Sequence, residues 1–565
     1  MRNSQSGAVL KARAIAGTYV VMLAWDFVAG ADAARDGLLG FALQREELSN
    51  GTVIERYWLK GIKRFRDKDK GLAPGTPVST AEHPVQSFMW ADYTAETGKT
   101  YRYSVIPVYG TVKLLELRMD AAVTVEISTE IEYLLHPDLA ADTSRHDVYF
   151  NRGAIGSQAY ARRFQNRVPD ASNPAAEEMV WLSRGLFEAL RGFVALAADE
   201  RYTLRCSFYE FHYLPVAIAL AAAFDRGVDL KIVYDGESSY APENQAVIAS
   251  SGLAERNCTI PRTVKTGIRH NKFMVLCQGD QPIAVWTGST NISGGGIFGH
   301  SNVGHIVWDH TVAEAYLAYW KLLAADTGVS ALRPKARQIS PLPAGKPPPH
   351  SITPLFSPRD GQTENTSLQW YADRMDEAQQ VMCITLAFNL DQLFSQVVAK
   401  DNDVLRFIIK DDDLLATESI GRDRDVLFAA GGRLGQGVLD NFLSERDNPL
   451  NANNYIHDKF MLVDPLGDDP LVASGSANFS RPSQRTNDEN MLIIRGDTRV
   501  ADIYFGEFMR IFDHHYVRYL IAKLTAAGQG DPNAGYLKVA AADWLPPHFD
   551  PNNYKAKRRA YFVGP

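Results

Sequence analysis

Cysteine is scarce: four residues in a chain of 565, at Cys206, Cys258, Cys277 and Cys383, with no CxxC pair and no companion histidine spacing. This excludes a disulfide scaffold and a zinc site, so the thiols read as buried side chains in a reducing compartment. Long hydrophobic runs are missing too. The longest, Pro215 to Phe224, falls far short of the roughly 20 residues that a membrane-spanning helix needs. Val20 to Trp25 ends at once in Asp26 without a small-residue cleavage site, which makes it a strand rather than a signal peptide. There is no excess of positive charge: 59 Lys and Arg against 66 Asp and Glu leave −7, with a pI near 6.0. No global field therefore draws nucleic acid or anionic lipid, and any polyanion site must be local. The default location is cytoplasmic, with export by a signal-independent route left open.

At 45% hydrophobic and 22% charged residues the composition is that of an ordinary globular protein, long enough for three or four domains. Up to about residue 128, short alternating strands lie between Gly, Asp, Thr and Pro clusters: Tyr19 to Phe27, Leu39 to Arg45, Ile54 to Trp58, Ser87 to Tyr93, Thr100 to Val108 and Ala121 to Ile127. That spacing predicts an all-β sandwich. The run WADYTAETGKTYRYSVIPVYG resembles the closing part of a fibronectin type III domain, with Tyr101 as corner tyrosine and Trp25 as core tryptophan. A second change of composition falls at Arg333 to His350, where six prolines predict a linker without a helix.

The segments flanking that linker repeat one another. LRCSFYEFHY from Leu204, a helical stretch and LKIVYD from Leu230 are answered by VMCITLAFNL from Val381, a helical stretch and LRFIIKDD from Leu405. Strands alternating with helices imply parallel pairing in an α/β layer. Each half then reaches the same motif. RHNKFMVLC and VWTGSTNIS in the first correspond to IHDKFMLVD and VASGSANFS in the second. His270 and Lys272 match His457 and Lys459, and in both halves a Ser follows the His by 19 and an Asn by 21 residues: Ser289 and Asn291, Ser476 and Asn478. One His-x-Lys is more often an ordinary histidine; two with identically placed partners are a site.

The physical reading is a hairpin. The apolar stretch after each Lys is a buried strand, and a return strand brings Ser and Asn back to the level of the His. Two such surfaces facing one another supply two imidazoles on opposite sides of a central group, with two ammonium groups and two amides around it. That suits in-line attack at phosphorus: one His as nucleophile, the other as general acid, with Lys and Asn stabilising charge on the non-bridging oxygens.

At this point the sequence, over about residues 145 to 527, resembles the phospholipase D superfamily, whose HxKx4D motif occurs twice in its single-chain members. The resemblance implies two pseudo-symmetric α/β halves forming one catalytic unit behind the β-sandwich. The domains would be 1–130 (sandwich), 145–330 (first half), 331–352 (linker), 353–527 (second half) and 528–565 (tail). It also implies phosphodiester cleavage or transfer through a phosphohistidine, with no metal or other cofactor.

Carried over by position, the catalytic set is His270, Lys272, Asn291, His457, Lys459, Asn478 and Glu489, with Ser289, Ser476 and His300 at the substrate. Asp464 closes the second motif as fold support, where the first has Cys277. Glu489 fits the acidic residue that orients a histidine across the pseudo-dyad, and the first copy carries Gly304 in the corresponding place. Glu489 would then orient His270 as nucleophile, leaving His457 as acid/base with another partner. His300 and His305 could line the mouth or supply that partner, although an exposed loop is the simpler reading. Glu210 and His212 read as an ordinary strand-end pair, and Lys60 to Lys70 and the KAKRR run ending at Arg559 as solvated faces.

The expected activity is phospholipid hydrolysis to phosphatidic acid at a membrane or micelle surface, with phosphatidyl transfer to an alcohol. Nucleic acid cleavage is the alternative, and a binding protein with a degenerate site the third reading. Both half-sites lie in one chain, so an oligomer is not required.

Overall fold

The structure is a computed structural model, described here for all residues except 140–144, 388–389, 412–420, 451–453 and 565. The ends of two repeat strands, residues 388–389 and 412, lie outside the described residues.

The N-terminal region forms two main antiparallel sheets, with a short two-stranded one, Lys60–Gly61 against Val78–Ser79, beside them. Arg2–Ser6, Leu10–Ala16, Val21–Phe27 and Met89–Asp92 make the first; Leu115–Leu117, Thr100–Gly110, Gly40–Ser49 and Thr52–Trp58 make the second, with Val123–Ser128 also pairing with Thr100–Gly110. Leu23, Trp25, Phe41, Tyr101, Tyr103 and Val105 join the two in one core. The Trp25 ring meets the Phe41 ring edge-on at 5.3 Å, and the buried Tyr101 hydroxyl accepts from the Glu96 amide at 3.0 Å. All six predicted strands are present; Arg2–Ser6, Leu10–Ala16 and Leu115–Leu117 add to them.

Two seven-stranded sheets follow. In the first the order is His146–Phe150, Val303–Val307, Gln281–Gly288, Lys272–Gln278, Tyr202–Phe208, Asp229–Asp235, Thr259–Arg262. In the second it is Ile352–Ser357, Glu489–Arg495, Leu471–Gly475, Phe460–Val463, Val381–Leu386, Leu405–Lys410, Val426–Ala430. The topology is the same in both halves, parallel in the last three strands and antiparallel in the hairpin that follows each His-x-Lys. The central strands are buried throughout, which is why FMVLC and FMLV read as continuous apolar runs.

The halves share one core in which Val148, Phe150, Phe273 and Val303 meet Phe356, Leu492, Ile494 and Tyr504. Helices lock them together reciprocally. Tyr319 of His310–Ala324 stacks on Phe356 of the second half at 4.4 Å, and Tyr504 of Thr498–Ala526 packs edge-on against Phe150 of the first at 5.1 Å. The sheets are thereby held so that both hairpin exits open on one cradle.

Two expectations need correction. The predicted linker begins with a helix, Val329–Ile339, despite Pro334 within it. Burial of Val329, Leu332 and Ala336 outweighs the one backbone bond that proline removes. The tail packs back on the rest of the chain. Trp544 and Leu545 complete the N-terminal core, while Phe562 of Tyr554–Val563 packs on Phe505 at 5.2 Å and Phe407 at 6.2 Å. Its KAKRR run is not a solvated face: Lys557 pairs with Asp403 and Asp425, Arg558 with Asp513 and Arg559 with Asp26.

Candidate active site

Each His-x-Lys enters its hairpin in the same way. Lys272 donates to the His270 carbonyl at 2.6 Å and Lys459 to the His457 carbonyl at 2.7 Å, so each ammonium is folded back beside its own imidazole. The glycine before each Ser is dictated by the sheet: a Cβ on Gly288 or Gly475 would lie 2.2 Å from the Val303 or Asn490 carbonyl of the adjoining strand. That close approach returns Ser289 and Asn291, or Ser476 and Asn478, to the cradle; Ser289, Asn291 and Ser476 are buried and Asn478 is partly exposed.

The halves hold each other's histidines. Glu489 accepts from His270 Nδ1 at 2.9 Å, as expected. The residue that answers it is Asn302, not Gly304: both Glu489 and Asn302 follow their motif Ser by 13 positions, and Asn302 Oδ1 accepts from His457 Nδ1 at 3.0 Å. The surrounding bonds repeat across the pseudo-dyad. Ser289 Oγ donates to Asn302 Oδ1 and Ser476 Oγ to Glu489 Oε2, both at 2.7 Å. The Ser301 amide donates to the Tyr455 carbonyl at 2.9 Å and the Asp488 amide to the Ile268 carbonyl at 2.8 Å. Gly304 misleads because it lies on the same strand two residues further on, where its counterpart is Met491: Gly288 pairs with Gly304 and Gly475 with Met491.

The dyad is broken in its chemistry. His270 faces a carboxylate that also accepts from Ser483 Oγ at 3.1 Å and Asn487 Nδ2 at 3.3 Å. His457 faces a neutral amide, whose nitrogen donates to the Gly296 carbonyl at 2.7 Å. With its oxygen so oriented, Asn302 fixes His457 as the Nδ1–H tautomer and leaves Nε2 with its lone pair.

Burial keeps both imidazoles neutral. It pushes His270 down to about 4, against the pull of Glu489, and His457 well below its ordinary value, where Lys459, Lys272 and the neighbouring histidines act in the same direction. Burial also lowers Lys272 to about 8; Lys459, with Lys272 as a further cause, falls to about 7. The ammonium forms dominate below these values and are lost above them. KM for an anionic diester should therefore rise, on the order of tenfold between about pH 6 and about pH 9, with kcat changing less; a KM flat across that range in steady-state assays would contradict the lysines' role.

Other residues fall differently from expectation. Glu210 is part of the cradle: its Oε1 accepts from Asn291 Nδ2 at 2.5 Å, and its charge acts on both lysines. Its position at the end of Tyr202–Phe208 was the available signal. Tyr209, which the sequence did not single out, meets the His270 ring at 5.0 Å and lies 5.1 Å from Lys272 Nζ. His212 stacks on Tyr240. His300 is buried and stacks on His457, so the exposed-loop reading fails for it. It fails for His305 too, which turns into the core, bonding His146 and Tyr504.

Asp464 supports the fold, accepting from the backbone amides of Gln379, Gln380 and Val381. Cys277 is buried in the hairpin at the matching place, and all four thiols are free and buried. No helix among the described residues is long and apolar enough to cross a membrane.

Residues 398–513 match the family model described as "Cardiolipin synthase, PLD-like domain". Comparison with curated proteins gives no match. Among solved structures the chain is similar to a phosphatidylserine synthase of Haemophilus influenzae at 14% identity, covering 61% of this chain and 92% of that one, with a TM-score of 0.42. It is also similar to Nuc, a phospholipase D family member of Salmonella typhimurium, at 22% identity, covering 32% and 95% with a TM-score of 0.21. Yeast tyrosyl-DNA phosphodiesterase is similar at 10% identity, covering 54% and 87% with a TM-score of 0.30. The matched segment contains the second His-x-Lys, and the first half repeats its motif and topology; the second half thus carries a PLD-like domain, in line with the resemblance to the phospholipase D superfamily.

Proposed function

We propose that the protein is a metal-independent phosphodiesterase that hydrolyses phospholipids to phosphatidic acid, and can pass the phosphatidyl group to an alcohol. The observation that carries this reading is the reciprocal clamping of two neutral imidazoles at one buried cradle containing two lysines and two asparagines. The amide oxygens of Asn291 and Asn478 are buried without a protein partner, consistent with bonds completed by a ligand hydroxyl or water.

His270 Nε2 attacks phosphorus as the bond to the leaving oxygen breaks, and that oxygen takes a proton from His457. The proton is available because an anionic substrate raises the affinity of His457 for it. The phosphohistidine carries positive charge on its imidazole, which the Glu489 carboxylate offsets. His457, now neutral, removes a proton from water; the water oxygen displaces His270, and phosphatidic acid leaves. Lys272 and Lys459 offset the charge gathering on the non-bridging oxygens in both steps. A lipid is preferred to a nucleic acid because the chain is acidic overall, whereas backbone binding to nucleic acid draws on many Lys and Arg contacts.

The test is product release from mixed phospholipid vesicles with a chelator and a primary alcohol present. Phosphatidic acid together with phosphatidyl alcohol is the expected result. Cleavage of DNA or RNA, with no lipid product, would replace the lipid reading by a nuclease.

A further inference from the structure

His457 is held on a second side by a residue that the pseudo-dyad does not repeat. His300 lies two positions before Asn302, and the residue two positions before Glu489 is Asn487, which bonds Glu489 instead. The His300 and His457 rings are nearly parallel, 16° apart, with centroids at 4.4 Å. Among the described residues His270 has no such stack; the ring beside it, Tyr209, is tilted by 58°.

The backbone under His300 is built to hold it there. Gly295–Gly299 is a π-helical turn, a rare conformation that is frequent at functional sites. Asn151 Nδ2 donates to the Ile297 and His300 carbonyls at 2.9 and 2.8 Å, and Asn448 Nδ2 donates to the Gly299 carbonyl at 2.9 Å. The next residue joins the halves: the His457 amide donates to the Ser301 carbonyl at 3.2 Å, closing a bridge between Ser301 and Ile456. The segment carrying His300 is thus tied to the segment carrying His457 before either ring is considered.

We infer that His300 is a positioning residue for His457, its ring fixing the plane of that imidazole and shielding one face from water while Asn302 fixes the tautomer. The inference rests on the phosphodiesterase reading for its kinetic consequence but not for its structural one. The titratable groups that face His457 are Lys459, Lys272, His270 and His300, and a positive charge on any of them disfavours its protonation. Burial holds His300 itself down to about 3, so it acts as a neutral ring. Removing that ring admits water to one face of His457 and weakens the desolvation that keeps it neutral.

The experiment follows His457 by NMR in histidine-labelled protein, its resonance assigned by its loss in His457→Gln, in wild type, His300→Ala and His300→Phe. In His300→Ala the protonation midpoint of His457 should rise by about one pH unit or more. The kcat for phospholipid should fall on the order of tenfold to a hundredfold with KM within about twofold. In His300→Phe, which keeps a flat ring, both should return most of the way to wild type. An unmoved midpoint in His300→Ala, or a His300→Phe variant no better than His300→Ala while both fold, overturns the inference. Absence of turnover in the wild type would sink the phosphodiesterase reading, and the midpoint would still decide the role of the stack.

Discussion

Alanine at His270 or at His457 should reduce phosphodiester turnover to background, a loss on the order of 10² to 10⁴ for the acid/base residue and more for the nucleophile. The two variants are not equivalent. In His457→Ala a substrate with an activated leaving group needs no protonation, so His270 can still attack; the phosphohistidine then accumulates because no base activates water. Rapid quenching should recover phosphate on His270. In His270→Ala no covalent species should form with any leaving group. Phosphate recovered on His457 would reverse the roles, giving the nucleophile to the histidine that Asn302 holds. Both variants should fold, since each ring ends in the cradle and contributes no core packing comparable to that of Phe273 or Phe460, both fully buried.

Glu489→Ala should be nearly as damaging, through another route. The carboxylate is fully buried and accepts from His270, Ser476, Ser483 and Asn487. Its loss frees the His270 ring and, on the proposed mechanism, removes the charge that would offset a phosphohistidine. The expected fall in kcat is on the order of 10³ to 10⁴, the scale seen when the carboxylate orienting a catalytic histidine is neutralised. Four donors also lose their acceptor, which costs about 3 kcal/mol of stability in denaturant unfolding. Glu489→Gln separates the effects: it keeps an acceptor for His270 and so most of the stability, while losing the charge and most of the rate. If Glu489→Gln retained wild-type kcat, charge compensation on His270 would play no part.

Much of this was legible along the chain. The His-x-Lys strand, the turn and the return to Ser and Asn form one hairpin, so their relation is carried by spacing, and duplication separates it from accident. The register of that hairpin needs Gly288 and Gly475 because the adjoining strand passes too close for a side chain. The six predicted strands of the N-terminal region were equally local, bounded by turn residues and, in Val123–Ser128, alternating buried and exposed positions. The helix at Val329–Ile339 escaped because its stability lies in burial against another segment, which a proline count does not register.

What the linear pattern determined, then, is the set of groups: two imidazoles, two ammonium groups, two amides and their order in each half. What tertiary structure decided is which group holds which. His270 and Glu489 are 219 residues apart, and His457 and Asn302 are 155 apart. These contacts exist only because the two sheets pack face to face, locked by Tyr319 on Phe356 and Tyr504 on Phe150. The amide at Asn302 and the ring of His300 on His457 belong to that packing, while the carboxylate of Glu210 on Asn291 belongs to the first half itself. Local sequence offers only position for them, the strand end for Glu210 and the spacing from the motif Ser for Asn302, because their partners arrive from other strands. Burial completes the division of labour: the same lysines and histidines would titrate near their ordinary values in water, and acquire their lowered values only when the halves close over them.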